Sequence, residues 1–160
     1  KSVFSVERHG DYYNYYTVTH GNLLSARPTE ATLYHSRLDW NILLFDRMFE
    51  WVLSYEYSRF DADEYITYRP VHVLGSTFRL GGDVWKAVWG NRLNSQMHTD
   101  PENDCPIGAA VIGEFSLQRK MLESFYAYIK IDNLYNRGYY LRDGYPEQGL
   151  SVLGGIRILF

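Results

Sequence analysis

His35, Asp39 and Ser54 are the residues whose types fit hydrolytic chemistry: a base, an acid to orient it and a hydroxyl nucleophile. That chemistry needs the base within hydrogen-bond reach of the hydroxyl, and no G-x-S-x-G turn presents a serine. Polar packing is the better account, and no enzymatic activity is expected. Asp100-Pro101-Glu102-Asn103-Asp104, beside His98, offers oxygen ligands to a hard cation. A calcium loop starting at Asp100 fails where Cys105 and Val111 fall, so a solvated acidic loop is expected, and likewise at Asp61, Asp63 and Glu64. The 5 His show no i, i+4 pairing and no H-E-x-x-H, and the single Cys105 excludes an intrachain disulfide and a Cys-based zinc site. No metal and no cofactor are expected.

Tyrosine is the residue type that clusters. Tyr12, Tyr13, Tyr15 and Tyr16 precede one polar stretch, and Tyr65 and Tyr68 sit in a second. Tyr139, Tyr140 and Tyr145 sit in a third, with Arg137 and Arg142. Rigid aromatic bodies with one polar tip suit a ligand site, and they equally suit a girdle in lipid headgroups. Both readings stay open for these residues.

The elements that must position them are strands. From Thr32 to Leu44 the even positions (Tyr34, Leu38, Trp40, Ile42, Leu44) oppose odd ones that include His35, Arg37 and Asp39. The same alternation recurs over 49–58, 107–118, 124–132 and 149–160. In all five, one face carries no charge, while the other carries Arg37, Asp39, Glu50, Glu56, Glu114, Lys130, Asp132 and Arg157 among Ser, Gly and Tyr. Three further strands, less cleanly patterned, are expected over Ser2 to about Thr17, Pro70 to Leu80, and Val84 to Met97; Trp85, Ala87, Trp89 and Leu93 share a face of the last.

Connections alternate in length. Phe45-Asp46-Arg47-Met48, Gly81-Gly82-Asp83 and Gln118-Arg119-Lys120 read as tight turns, with long polar loops over 19–30, 60–69, 98–106 and 133–147. Short turns at one end and long loops at the other are the layout of an outer-membrane barrel. A soluble barrel would turn a Lys- and Glu-rich face to water; here the polar face is sparse in charge, and the apolar face holds all 4 Trp. The apolar face is therefore expected to meet lipid, and the eight charges to face the lumen. The longest apolar run, Phe125 to Ile129, is too short for a membrane-spanning helix. A net charge of −3 and a pI near 5.9 leave no basic surplus for nucleic acid, which is not an expected partner. The 160 residues are one domain's worth of chain. Beginning at Lys1 without Met or signal peptide, they are expected to be a mature product, a split subunit or an excised piece.

Three ordered motifs carry a family resemblance. Ile131-Asp132-Asn133-Leu134-Tyr135-Asn136-Arg137-Gly138-Tyr139 resembles the NLF(D/N)xxY stretch near the end of TonB-dependent outer-membrane receptors. Gly144-Tyr145-Pro146-Glu147-Gln148-Gly149 is similar to that family's P-x-P-G-R approach to a last strand ending in an aromatic, here Phe160. Upstream, Tyr68-Arg69-Pro70-Val71-His72 looks like its R-x-P-x-H entry to a strand. Leu150 and Val152 depart from the family's Arg and aromatic.

The resemblance implies an all-β, antiparallel transmembrane segment of about eight strands, the C-terminal third of a wall of about 22 strands. Positions 1–160 would be a single barrel segment with no plug domain. It further implies uptake of a scarce solute such as a metal chelate or siderophore in the outer membrane of a Gram-negative bacterium. The implied partners are outer-membrane lipid, the assembly machinery reading Phe160, a plug and a TonB-type energy-transducing protein acting through an N-terminal part. The alternative is a free-standing eight-stranded barrel with a structural or adhesive role. Glu7 to Asp11 interrupt the apolar face of the first strand, so that strand is not expected to close a barrel with the last.

Overall fold

The computed structural model describes residues 2–18, 23–45, 48–102, 106–142 and 145–159. Ten strands account for most of them. They are β1 (Ser2–Val18), β2 (Leu23–Leu44), β3 (Phe49–Asp61), β4 (His72–Gly81), β5 (Trp85–Asn94), β6 (Ala110–Leu122), β7 (Phe125–Asp132), β8 (Tyr140–Arg142), β9 (Tyr145–Pro146) and β10 (Ser151–Ile158). Eight form one antiparallel sheet in the order β1-β2-β3-β4-β5-β6-β7-β10, and β8 and β9 make a small separate hairpin. From β1 to β7 each strand pairs with its sequence neighbour, as in a meander, and β10 returns past the β8–β9 hairpin to pair with β7. β1 and β10 lie at opposite edges and do not pair with each other, in keeping with the interrupted face of β1.

Register fixes the two faces. Val52, Thr77, Gly90, Glu114, Asp132 and Ser151 form one row across the sheet. One residue away on every strand, Trp51, Phe78, Trp89, Phe115, Ile131 and Val152 form a row on the opposite face. Trp51 stacks on Phe78 with centroids 5.2 Å apart, and Phe78 on Trp89 at 5.4 Å. Large apolar side chains on this face stay exposed, Trp40 at 50% and Ile156 at 68%. A continuous exposed apolar face is a surface for lipid or protein rather than water. No helix among the described residues is long and apolar enough to cross a membrane, which says nothing of crossing by strands.

Two boundaries differ from expectation. β2 begins at Leu23, so most of the expected 19–30 loop is strand, paired with β1 as far as Val18↔Leu23. Only its Thr32–Leu44 part also pairs with β3. Pro28, which cannot donate to a ladder, falls where β2 has a neighbour on one side only. The turn between β6 and β7 is at Glu123–Ser124, not Gln118–Lys120. Gln118 and Lys120 pair with Tyr128 and Tyr126 on the polar face, where polarity is no mark of a turn. Asp46 and Arg47 of the first expected turn, and Asn103 to Cys105, lie outside the described residues.

The fully buried positions gather at the loop end of the sheet. Ala31, Ile66, Thr67, Met97, Thr99, Ile107 and Ala110 are shielded there, with Asn14 only 1% exposed. Elsewhere the sheet has one layer and no core of its own.

Candidate functional site

The loop end is built by three connections folded against the β1–β2 hairpin. After β3, residues 62–69 return over Asn14, which sits on the same face as Arg27 because the two are register partners. Asn14 Nδ2 donates to the Tyr65 carbonyl (2.8 Å) and to Glu64 Oε1 (3.2 Å). Its Oδ1 accepts from the Thr67 amide (2.9 Å) and hydroxyl (2.8 Å). One buried side chain thus satisfies both polarities of a loop that has no ladder there, at a burial where unmade bonds cost about 1–3 kcal/mol each. The Arg27 guanidinium donates to Glu64 Oε2 at 2.8 Å. Burial pushes the Glu64 pKa up, but hydrogen bonds from Arg27 and Asn14 outweigh it and hold the carboxyl below its ordinary value. The loop after β5 docks next: Met97 and Ile107 exchange backbone hydrogen bonds (3.0 and 2.9 Å), and the Tyr68 amide donates to the His98 carbonyl at 2.8 Å. Tyr65 stacks on His98 with centroids 4.2 Å apart.

This packing leaves a cleft of about 330 Å³ lined by Tyr12, Tyr13, Thr67, Tyr68, Arg69, Leu141 and Arg142. Four sequence candidates, Tyr12, Tyr13, Tyr68 and Arg142, are brought together from β1 and two connections. Tyr12 is fixed by Phe60, at 5.2 Å between centroids, and by Arg69, whose Nε donates to its hydroxyl at 3.3 Å. Tyr68 holds a positive φ of 55°, unusual for a residue with a side chain, which turns the chain at the cleft. Two guanidiniums among tyrosine rings can take a ligand that is anionic and flat.

The other candidates lie elsewhere. Tyr65 is committed to His98. Tyr139 and Tyr140 belong to the β8–β9 region, where the Tyr139 carbonyl accepts from the Glu147 amide at 3.0 Å. Burial, helped by Glu147 and Asp132, raises the Tyr139 pKa, so its phenol stays neutral. The side chains of Tyr15, Tyr16 and Tyr145, and the whole of Phe160, lie outside the described residues. Thr67, Arg69 and Leu141 were missing from the sequence candidates; Arg69 was legible only as part of a motif, and nothing local marks the other two.

The eight expected lumenal charges all share the polar face, and several neutralise one another. Arg37 Nε pairs with Asp39 at 3.0 Å, Arg79 with Glu50 at 2.9 Å, and Lys130 with Asp132 at 2.9 Å. A cavity of about 500 Å³ lies against this face between Arg37, Glu56, Arg92 and Glu114. Arg79, Arg92, Lys86 and Lys120 belong to the same face and were missed. Once Trp85, Ala87 and Trp89 are given the apolar face of β5, period two assigns Lys86 and Arg92 to the other.

Hydrolytic geometry is absent around His35. Its Nδ1 lies 3.1 Å from Ser58 Oγ and 4.0 Å from Glu56 Oε1, both on the same ring nitrogen, so the ring cannot relay a proton between them. Ser54 instead faces Asp39 across the β2–β3 ladder, and its Oγ lies over Gly75. Asp100 Oδ1 accepts from the Glu102 amide at 2.8 Å in a local turn. Among the described residues no three His, Cys, Asp or Glu converge as metal ligands.

The Asn133-Leu134-Tyr135-Asn136 motif has a structural task. Asn133 and Asn136 hold φ of 51° and 47°, the left-handed region that Asn tolerates. Asn133 Nδ2 donates to the carbonyls of Arg137 (2.9 Å) and Gln148 (3.1 Å), and Asn136 Oδ1 accepts from the Leu150 amide at 3.0 Å. Tyr135 folds over Gly113, where any Cβ would meet its ring, and donates to Asn91 Oδ1. The motif thereby ties the end of β7 to the start of β10 and to the apolar face.

A single-layer meander with one apolar face, one charge-bearing polar face and a packed loop end has the fold of the barrel wall of TonB-dependent outer-membrane receptors. Solved structures define the kind more closely. The chain superposes on the ferric-catecholate import receptor Fiu of E. coli K12 with a TM-score of 0.73 and 11% identity, covering 99% of this chain and 25% of that one. The copper transporter OprC gives 0.76 and 12%, with 99% and 27% covered. The ferric yersiniabactin uptake receptor FyuA of Yersinia pestis gives 0.67 and 15%, with 98% and 34% covered. The chain thus spans about a quarter to a third of the length of these receptors. No family model and no curated protein matches the sequence.

Proposed function

We propose that this chain is a single barrel segment, the C-terminal third of an outer-membrane receptor that imports a scarce metal chelate of the siderophore class. The observation that carries the reading is the cleft at the loop end, where Tyr12, Tyr13, Tyr68, Arg69 and Arg142 converge on a wall of receptor fold. Iron chelators present flat, anionic catecholate or carboxylate groups, and aromatic rings beside guanidiniums recognise both properties. In this reading the wall sits in a Gram-negative outer membrane with lipid against its apolar face. A plug and a TonB-type protein, acting through an N-terminal part, supply closure and energy. The segment carries no catalysis.

The test is uptake of radioactive iron as a ferric tricatecholate in cells carrying the intact receptor. Arg69→Ala with Arg142→Ala should lower uptake at least about tenfold while surface display is unchanged. Unchanged uptake would remove the cleft from the transport path. Phe160 serves assembly in the same reading. Deleting it should reduce the inserted, heat-modifiable form in cells, and an undiminished amount would take away that role.

A further inference from the structure

We infer that the polar face carries, at its turn end, a binding site for a phosphate-type dianion, built from Lys86, Lys120 and Arg157. These three side chains line one cavity of about 460 Å³ with Gln118, Tyr126 and Asp83. They reach it from three strands. Lys86 faces Gln118 across the β5–β6 ladder, and Lys120 and Arg157 are both register partners of Tyr126.

The cluster differs from the paired charges on this face. Elsewhere on this face, Arg37, Arg79 and Lys130 each hold a carboxylate within 3.0 Å. Among the described residues, neither Lys86, Lys120 nor Arg157 has such a partner. Three cations against Asp83 leave a net charge of +2, which matches the −1.5 to −2 or so of a phosphate group near neutral pH.

The site is also preorganised. Arg157 lies over the Tyr126 ring at 5.3 Å, and its guanidinium donates to Gln118 Oε1 at 3.1 Å. With its carbonyl so engaged, Gln118 is left with its two amide N–H donors, and further donors come from two ammonium groups and the remaining guanidinium edge. Lys120 precedes a register shift in the β6–β7 ladder, and its amide is held by the Val84 carbonyl at 2.6 Å. Bulges next to sites re-aim side chains in this way. An apolar ligand would find little here, and a carboxylate of single charge would leave the cluster under-neutralised.

The inference does not depend on which solute the loop-end cleft takes. The intact protein, purified in detergent, is titrated with inorganic phosphate at constant ionic strength, using calorimetry and phosphorus NMR line width. Saturable binding at one site is expected. Lys86→Gln with Lys120→Gln should weaken it at least about tenfold. Arg157→Lys, which keeps the charge and loses the stacked fork, should weaken it several-fold and serves where the double variant does not fold. Arg37→Gln, on β2 and three strands away from β5, should leave it unchanged. A parallel titration with monomeric short-chain phosphatidic acid separates the sources of the phosphate. Competition at equal strength assigns a free solute, and much tighter binding assigns a lipid headgroup. No saturable binding, or binding indifferent to both variants, overturns the site. So does carbodiimide cross-linking of Lys86 or Lys120 to a protein carboxylate, which would give the cluster to an acidic polypeptide segment instead.

Discussion

The wall and the mouth of this sheet are held together by different physics. Between the turns and about half height, every strand of the wall is secured by its ladders, and its side chains meet nothing above or below the sheet. Trp40, Trp89 and Ile156 are exposed there because a single layer has no second layer to bury them. At the mouth the ladders thin out, and burial takes over: Ile66, Met97 and Ile107 are buried, and Asn14 ties 64–67 to β1 with four hydrogen bonds. In the proposed reading the wall therefore draws stability from what surrounds it, lipid outside and the rest of a barrel at its edges. The mouth draws it from its own side chains. A region of the first kind depends on period and register, and one of the second on individual residues.

Changing the surroundings of the wall should have the largest effect. Leu53→Arg and Ile129→Arg, on the apolar face, should each cost about 2–4 kcal/mol near the bilayer midplane, while Ser54→Arg on the polar face costs well under that. Denaturant titration in vesicles reads the cost, and spin labels at positions 53 and 54 report the environment. Equal water access at both positions would dissolve the distinction between the faces. By the same reasoning the isolated chain should fail to insert stably, since β1 and β10 leave open edges at several kcal/mol per unsatisfied group.

At the mouth a single buried residue should matter, but locally. Asn14→Ala should cost about 1–3 kcal/mol and abolish amide exchange protection over 64–68, with β4 to β7 unaffected. Loss of protection throughout the sheet would mean that mouth and wall are one cooperative unit. Where the two regions join, Gly113→Ala puts a methyl group into the Tyr135 ring. The ring must leave its place over β6, at about 1–3 kcal/mol, and Tyr135 should become accessible to iodination.

The smallest effect sharpens the comparison through pH. The Glu64 carboxyl has its pKa lowered in the folded mouth, so its contribution is fully present above the unfolded carboxylate pKa. It is lost as pH falls through the lower folded value. Because Arg27 is largely exposed, the pair is worth under about 1 kcal/mol. Glu64→Gln should flatten the acid dependence of exchange at 64–68 and leave the wall's unchanged. An acid dependence that survives the substitution would place the titrating group elsewhere.

Most of the wall was legible in the sequence. Trp51, Leu53 and Tyr55 on one side of β3, with Glu50, Ser54 and Glu56 on the other, needed only the strand period of two. The misplaced turn at Gln118–Lys120 shows where that reading gives out: polar residues on a polar face imitate a turn, and the true turn depends on which residues β7 pairs with. Likewise β2 extends back to Leu23 because β1 is there to pair with it. The three tyrosine clusters were visible, but the choice of Tyr12, Tyr13 and Tyr68 over Tyr65, Tyr139 and Tyr140 was not.

The sequence by itself determined the two faces, the strand rhythm and the charges of the polar face, because side-chain alternation is a property of neighbouring residues. Tertiary structure decided which loops meet at the mouth, that Asn14 reaches Glu64 and Thr67, and that Lys86, Lys120 and Arg157 share one cavity. Those contacts join residues about fifty or more positions apart, or strands whose register is set by pairing, and no local pattern encodes that distance.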